Sequence, residues 1–285
     1  SVKIWIKRDD LNHQIVQGNK LRKLKYNLEY AIKNSYTQLV TFGGAWSNHI
    51  VATAGAARLC DLQSTGFIRG DELQNYPKKW SNTLKQAAEY NMQLIFLNRQ
   101  EYRQKEHSTL VAKFIDNLPQ KPYLIPEGGS NRLALKGVAK IIIELSQQIQ
   151  PPTHIVTACG TAATMAGLID GVAKMKWQTK IIGISVLKGA SFLRQNIHKL
   201  ASSHQQVNWQ LYSNYHFGGY AKVTENLIQF GKKFVNNTNV NLDKIYTAKS
   251  FYAVYDLISA GKITAGSNVV ILHTGGLQGG LITDI

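Results

Sequence analysis

The chain has 285 residues, 44% of them hydrophobic and 18% charged, enough to bury a substantial core in one large domain or two. Its 33 basic and 17 acidic residues give a net charge of +16, but the basic residues are spread along the whole chain and no nucleic-acid motif or aromatic-interleaved basic run accompanies them, which argues against a specific nucleic-acid partner. No apolar run approaches the roughly 20 residues of a membrane span, no signal peptide is visible at the start, and the two cysteines, Cys60 and Cys159, make no disulfide framework, so a cytoplasmic protein is expected.

Ser1-Val2-Lys3-Ile4-Trp5 reads as the start of a strand. Gly18-Asn19 then leads into Lys20, and Leu21, Leu24, Leu28 and Ile32 recur at helical spacing, so Lys20 opens an amphipathic helix. A positive charge at a helix N-terminus is unfavourable, and a solvated lysine is the ordinary outcome there. In a closed site, however, such an amine has a fixed address; it can lose its proton and attack a carbonyl to form a Schiff base. Further along, Leu39–Phe42 is a strand, followed by Gly43-Gly44 and a helix from about Ser47 to Leu59. Gly66–Ile68 is a short strand, Gln74–Trp80 a surface loop, Thr83–Tyr90 a helix and Leu94–Leu97 a strand. Tyr123–Pro126 is the next strand, and a long helix over about Leu133–Ile149 is stopped by Pro151-Pro152. Strand His154–Ala158, helix Ala162–Val172 and strand Ile181–Val186 follow, and Val269–Leu272 forms a last strand before His273-Thr274-Gly275-Gly276. This alternation predicts an α/β architecture with mostly parallel sheets, in which ligands bind beyond the carboxyl ends of the strands.

The glycine-rich turns stand at those ends. In Gly43-Gly44-Ala45-Trp46-Ser47-Asn48-His49, Ser47 can cap the next helix, and free N–H groups there can receive an anion such as a carboxylate. His49 by itself reads as an ordinary helix histidine. In Ala158-Cys159-Gly160-Thr161-Ala162-Ala163-Thr164, small residues let backbone amides approach a phosphate without a Walker lysine, although glycine turns also serve packing alone. Cys159 reads as a small loop residue. Tyr215–Tyr220, Tyr246-Thr247 and Thr274-Gly275-Gly276 offer rings to stack and hydroxyls to bond a ring nitrogen, while core packing accounts for any one tyrosine equally well. No His or Cys spacing resembles a zinc site.

Taken together, these turns resemble the 1-aminocyclopropane-1-carboxylate deaminase / D-cysteine desulfhydrase family, pyridoxal-phosphate enzymes of the tryptophan synthase β-like fold (fold type II). The markers run in order over nearly the whole chain: Lys7–Leu11, Gly18–Leu24, Ser47-Asn48-His49, Pro126–Asn131, Gly160-Thr161, Tyr246–Lys249 and His273–Gly276. The resemblance implies two α/β domains with the cofactor between them, a smaller one over 35–149 and a larger one combining 1–34 with 150–285. It implies that Lys20 carries pyridoxal 5'-phosphate. Lys23, the amides of Cys159, Gly160, Thr161, Ala162 and Ala163, and the hydroxyl of Thr161 or Thr164 would hold the phosphate. Asn48 would bond the ring hydroxyl, Tyr246 stack on the ring and Thr274 bond its nitrogen, while Ser47 and Tyr220 face a small amino-acid substrate. A homodimer is implied too. The ring-opening members carry glutamate directly after the stacking tyrosine; here Thr247 stands there. That departure favours β-elimination from a D-amino acid, D-cysteine giving pyruvate, sulfide and ammonia, over ring opening. Trp46 beside the substrate leaves the substrate itself open. From a different class stands a basic nucleic-acid-binding or scaffolding protein that keeps the fold without the chemistry.

Overall fold

Two separate parallel sheets organise the protein in a computed structural model that describes all 285 residues. In chain order the elements are β1 (Lys3–Arg8), α1 (Asn19–Lys33), β2 (Gln38–Gly44), α2 (Asn48–Leu59), β3 (Gln63–Arg69), α3 (Asn82–Glu89), β4 (Gln93–Leu97), α4 (Arg99–Gln104), α5 (Thr109–Asp116) and β5 (Tyr123–Ile125). Then come α6 (Arg132–Gln148), β6 (His154–Cys159), α7 (Ala163–Lys174), β7 (Lys180–Ser185), α8 (Phe192–Leu200), β8 (Trp209–Tyr212), α9 (Glu225–Thr238), α10 (Thr247–Ser259) and β9 (Asn268–His273). The larger sheet has the order β1-β9-β6-β7-β8 and the smaller β4-β3-β2-β5, and every ladder is parallel. The predicted α/β class and parallel sheets are therefore present. Sequence periodicity left 99–116 and 192–259 without elements; four helices and a strand in those stretches, with α10, complete the fold. The segment 74–80 is the exposed loop expected, apart from one 3-10 turn at Pro77–Lys79.

Alternation along the central strands explains why the larger sheet is covered on both faces. Ile155, Ile181, Val270 and Leu272 point into a 22-residue cluster with α6, α7 and α8. Their neighbours Val156, Ile182, Val269 and Ile271 point the other way, into a 17-residue cluster with α9 and α10. The smaller sheet is held by three clusters of eight, six and six buried residues.

Helices α1 and α6 join the two systems. Leu24 and Ala31 of α1 pack with Leu39 of β2 and with Ala52, Ala56 and Ala57 of α2. The apolar face of α6 lies in the 22-residue cluster beside α7. The two helices touch each other at Gly137, where a Cβ would stand 1.8 Å from the Arg22 carbonyl oxygen. No helix is long and apolar enough to cross a membrane.

Candidate active site

Parallel strands deliver their carboxyl-end turns to one side of each sheet, and here those turns from both sheets line one cavity of about 1370 Å³. Lys20, Lys23, Ser47, Asn48, Gly160, Thr161, Ala162, Thr164, Tyr220, Tyr246 and Thr274 all border it. Residues more than two hundred positions apart in sequence thus meet, as the motif reading required. Cys159 and Ala163 do not border the cavity. Their side chains are buried in the 22-residue cluster, and burial pushes the Cys159 thiol up to about 12, which removes it as a nucleophile.

The position of Lys20 follows from the turn before it. Gly18 has φ +70°, and a Cβ there would lie 1.9 Å from the Thr274 carbonyl oxygen, so only glycine fits. The Asn19 amide donates to Thr274 O at 3.1 Å and the Gly18 amide to Asp9 O at 3.1 Å. The Asn19 side chain donates to Thr164 Oγ1 at 2.9 Å. The start of α1 is therefore tied to the ends of β9 and β1 and to the first turn of α7. One turn further, Arg22 grips Asp9 at 2.6 and 2.7 Å and Glu144 of α6 at 2.7 and 2.8 Å. The two lysines themselves have no carboxylate partner. Enclosure lowers Lys20 to about 8. Burial, and then the charge of Lys20, push Lys23 well below its ordinary value. Lys23 Nζ donates to Gly128 O at 3.0 Å and to Thr161 Oγ1 at 3.3 Å. Two amines facing one chamber without an anion call for one.

The β2 turn corrects one expectation. Ser47 occupies the N-cap position of α2, but its hydroxyl makes no capping bond, so it is free for another partner. His49 is buried, and its Nε2–H points to Thr41 Oγ1 at 2.8 Å; the Thr41 hydroxyl in turn donates to Ile125 O at 2.8 Å. This relay assigns the proton to Nε2 and leaves Nδ1 as a bare acceptor, buried with no partner. Burial, reinforced by the charges of Lys20 and Lys23, holds His49 far below the usual imidazole range and keeps it neutral. Six buried side-chain atoms in the molecule lack a partner, and four of them, Gln17 Oε1, Asn48 Oδ1, His49 Nδ1 and Ser130 Oγ, belong to residues that border this cavity. Unpaired buried polar atoms are costly unless a ligand or water satisfies them. Their concentration here marks a polar ligand site.

Across the cavity, Tyr246 lies over the Gly160 turn, where a Cβ would come within 2.9 Å of its Cε1. Its hydroxyl donates to Tyr220 Oη at 3.3 Å, and the Tyr220 hydroxyl donates to Trp46 O at 3.0 Å. Burial raises both, Tyr220 to about 12 and Tyr246 well above its ordinary value, so both hydroxyls stay protonated. Lys249 donates to the carbonyls of His216 and Gly219, each at 2.9 Å, and so ties down the turn that carries Tyr220. Thr247 is wholly buried and does not border the cavity. Its hydroxyl donates to Asp243 Oδ2 at 2.6 Å, and the same carboxylate accepts the amides of Ile245, Tyr246 and Thr247. Asp243 thus caps α10, a role the motif reading missed because the partner lies three residues upstream of the tyrosine. Arg69 and Tyr102 also border the cavity without having been singled out from sequence, as does Glu127 of the Pro126–Asn131 marker. The strand-end rule applied to β3 would have found Arg69; nothing local pointed to Tyr102.

The family model described as "Pyridoxal-phosphate dependent enzyme" matches residues 1–275. Among curated proteins, the chain is 31% identical over 293 residues to the mitochondrial bifunctional D-cysteine desulfhydrase/1-aminocyclopropane-1-carboxylate deaminase of Arabidopsis thaliana, covering 97% of this chain and 73% of that one. It is 27% identical over 286 residues to the D-cysteine desulfhydrase of Klebsiella pneumoniae subsp. pneumoniae, covering 96% and 86%. Among solved structures, a homologue of the 1-aminocyclopropane-1-carboxylate deaminase superposes with a TM-score of 0.85 at 28% identity, over 97% of this chain and 85% of that one. With the paired amines, the glycine turn and the unpartnered polar atoms gathered in one strand-end cavity, these matches establish that the chain belongs to the pyridoxal-phosphate dependent enzymes, in the 1-aminocyclopropane-1-carboxylate deaminase / D-cysteine desulfhydrase family.

Proposed function

We propose that the protein is a pyridoxal-phosphate-dependent lyase that removes a β-substituent from a small D-amino acid, with D-cysteine as the first substrate to test and pyruvate, sulfide and ammonia as products. The cavity fits the cofactor chemically. Lys20 offers an amine lowered to about 8, so a useful neutral fraction exists near neutral pH for bonding to an aldehyde. Lys23 and the N–H groups of Gly160 to Thr164, at a helix start with no side-chain cap, suit a phosphate. Asn48 suits the ring hydroxyl, Tyr246 the ring face and Thr274 the ring nitrogen. When bound, pyridoxal phosphate supplies an electron sink that makes the substrate's Cα–H acidic. Lys20 would take the Cα proton, and the Cβ–substituent bond breaks with its electron pair leaving on the substituent. Ser47 and the first amides of α2 bind the substrate carboxylate, and Tyr220, held by Lys249 and bonded to Tyr246, closes the side from which the β-substituent leaves.

One observation carries the preference for elimination. Thr247, at the position where ring-opening members have glutamate, is buried against Asp243, so the hydroxyl of Thr274 is the group on that side of the cavity. A hydroxyl does not enforce protonation of the ring nitrogen, whereas a carboxylate does. The test is kcat/KM for D-cysteine and for 1-aminocyclopropane-1-carboxylate on one preparation, following pyruvate and 2-oxobutyrate. The value for D-cysteine is expected to be larger; the reverse would make the protein a ring-opening deaminase. Borohydride reduction followed by peptide mapping is expected to place the pyridoxyl label on Lys20. Division into units of 35–149 and of 1–34 with 150–285, a homodimeric assembly and a cytoplasmic location complete this reading. The first is supported by the two separate sheets, although the core faces of α1 and α6 cross its boundaries, α1 packing with the smaller sheet and α6 with the larger; the second is supported by family resemblance.

A further inference from the structure

Arg69 ends β3, and the sheet register pairs it with Gly44 on one side and Leu97 on the other. It therefore stands in the same strand-end layer as the turn that carries Ser47 and Asn48. Its guanidinium carbon lies 5.9 Å from the centre of the Tyr102 ring, and its Nη2 would be 3.7 Å from a Cβ on Gly44. Arg69, Tyr102 and Tyr220 all border the cavity, and the guanidinium charge works against the burial-driven rise of both tyrosine hydroxyls. Arg69 enters none of the six ion pairs of the molecule. The acid on that wall, Glu127, is already taken by Lys105 at 2.9 Å and by the Tyr102 hydroxyl at 2.5 Å. Glu72 and Glu106 border the cavity as well, yet neither pairs with a cation.

Arg99, Arg103, Lys188 and Lys199 border the cavity without an ion pair as well, but the strand register sets Arg69 in the same layer as the turn before α2, so two places for anions adjoin there: the start of α2, whose amides have no side-chain cap, and the Arg69 fork. An α-amino acid has one carboxylate, which leaves the second place for its side chain. We infer that Arg69 is a specificity-determining residue that receives an anionic group on the substrate's β-carbon, so that the site favours amino acids bearing a phosphate ester, sulfonate or carboxylate there over neutral ones. Planar guanidinium and tetrahedral or planar oxyanion match bidentately. The inference deepens the lyase reading and rests on it. For O-phosphoserine the Cα proton passes to the base, the Cβ–O bond breaks, and its electron pair leaves with the phosphate. Water supplies the keto oxygen as ammonia departs, so one O-phosphoserine and one water give pyruvate, ammonia and phosphate. The guanidinium gains most as the leaving oxygen takes up charge.

The experiment compares the holoenzyme with Arg69→Met and Arg69→Lys holoenzymes. Substrates are O-phosphoserine and β-chloroalanine, each as both enantiomers, with phosphate and pyruvate followed. Dissociation constants for aspartate and alanine are read from tryptophan fluorescence, since Trp46 borders the cavity. Loss of a charged hydrogen bond predicts that Arg69→Met lowers the ratio of kcat/KM for O-phosphoserine over β-chloroalanine about 30-fold. It should weaken aspartate relative to alanine by a similar factor, and Arg69→Lys should restore part of both. Equal losses on charged and neutral substrates would overturn the inference, because Arg69 would then hold the common carboxylate or only the fold. Equal wild-type binding of aspartate and alanine would also overturn it, with the lyase reading intact. Failure of the protein to take up pyridoxal phosphate, seen as no absorbance band from the bound group, would overturn both.

Discussion

His49 shows how one side chain can be fixed by partners that are themselves fixed. Thr41 gives its proton to the Ile125 carbonyl, so it can only accept from His49 Nε2. The imidazole should therefore remain neutral, with its proton on Nε2, from pH 5 to 8, as long-range ¹H–¹⁵N NMR can check. Thr41→Val would leave that N–H without an acceptor and should cost about 1–3 kcal/mol in denaturant titration. Thr247 is locked in the same manner. Thr247→Glu would bring a second carboxylate against Asp243, in a place with no room for it. The expected result is a loss of about 3 kcal/mol or more of stability, measured by urea denaturation, with no gain in ring opening. A stable Thr247→Glu protein that opens aminocyclopropane carboxylate efficiently would mean that Asp243 tolerates a neighbour the structure gives no space.

At the scale of elements, the start of α1 is held by the Asp9–Arg22–Glu144 clamp. Burial first, with the charge of Glu144 beside it, leaves the Asp9 carboxyl raised in spite of Arg22, so the clamp does more to position α1 than to stabilise it. Removing the cation still leaves Asp9 buried and unpaired, and Arg22→Ala should cost about 3 kcal/mol while weakening cofactor uptake, because Lys20 and Lys23 move with the helix. Arg22→Lys should recover little, since an ammonium cannot fork to two carboxylates. Hydrogen bonding from Arg22 lowers Glu144 to about 2. A depressed folded-state pKa means that the unfolded chain binds more protons between the two values, so stability falls as pH falls. That contribution should be whole above the ordinary glutamate value and lost on acidification towards pH 2. Glu144→Gln should flatten this limb of the pH–stability curve relative to wild type.

For the whole molecule, the α1–α6 contact couples the two sheets. A glycine inside a helix costs about 1 kcal/mol relative to alanine, so Gly137→Ala would stabilise an isolated helix. Here the new Cβ would stand 1.8 Å from the Arg22 carbonyl oxygen. Forcing the helices apart should cost about 1–3 kcal/mol, outweigh the propensity gain, and raise the dissociation constant for pyridoxal phosphate. Thermal unfolding and cofactor titration of Gly137→Ala together test this; a more stable variant with unchanged affinity would show that the contact does not couple the sheets.

The sequence by itself determined what local chemistry can specify. Alternating apolar runs and glycine turns gave the parallel α/β class, and Gly18-Asn19-Lys20 and Gly160–Thr164 marked the turns, because strand ends and helix starts write their needs into neighbouring residues. Helices α4, α5, α8 and α9 escaped because each buries three residues or fewer, and α10 because polar Thr247, Lys249 and Ser250 interrupt its buried face. Only the tertiary structure decided which candidates meet. It sent the Cys159 side chain into the core, freed Ser47 from capping, left His49 Nδ1 without a partner and hid Thr247 behind Asp243. It also left Arg69 unpaired at the cavity wall. The reason is physical: burial, ion pairing and the direction of a hydrogen bond belong to pairs of groups brought together by the fold, and no single segment carries both members.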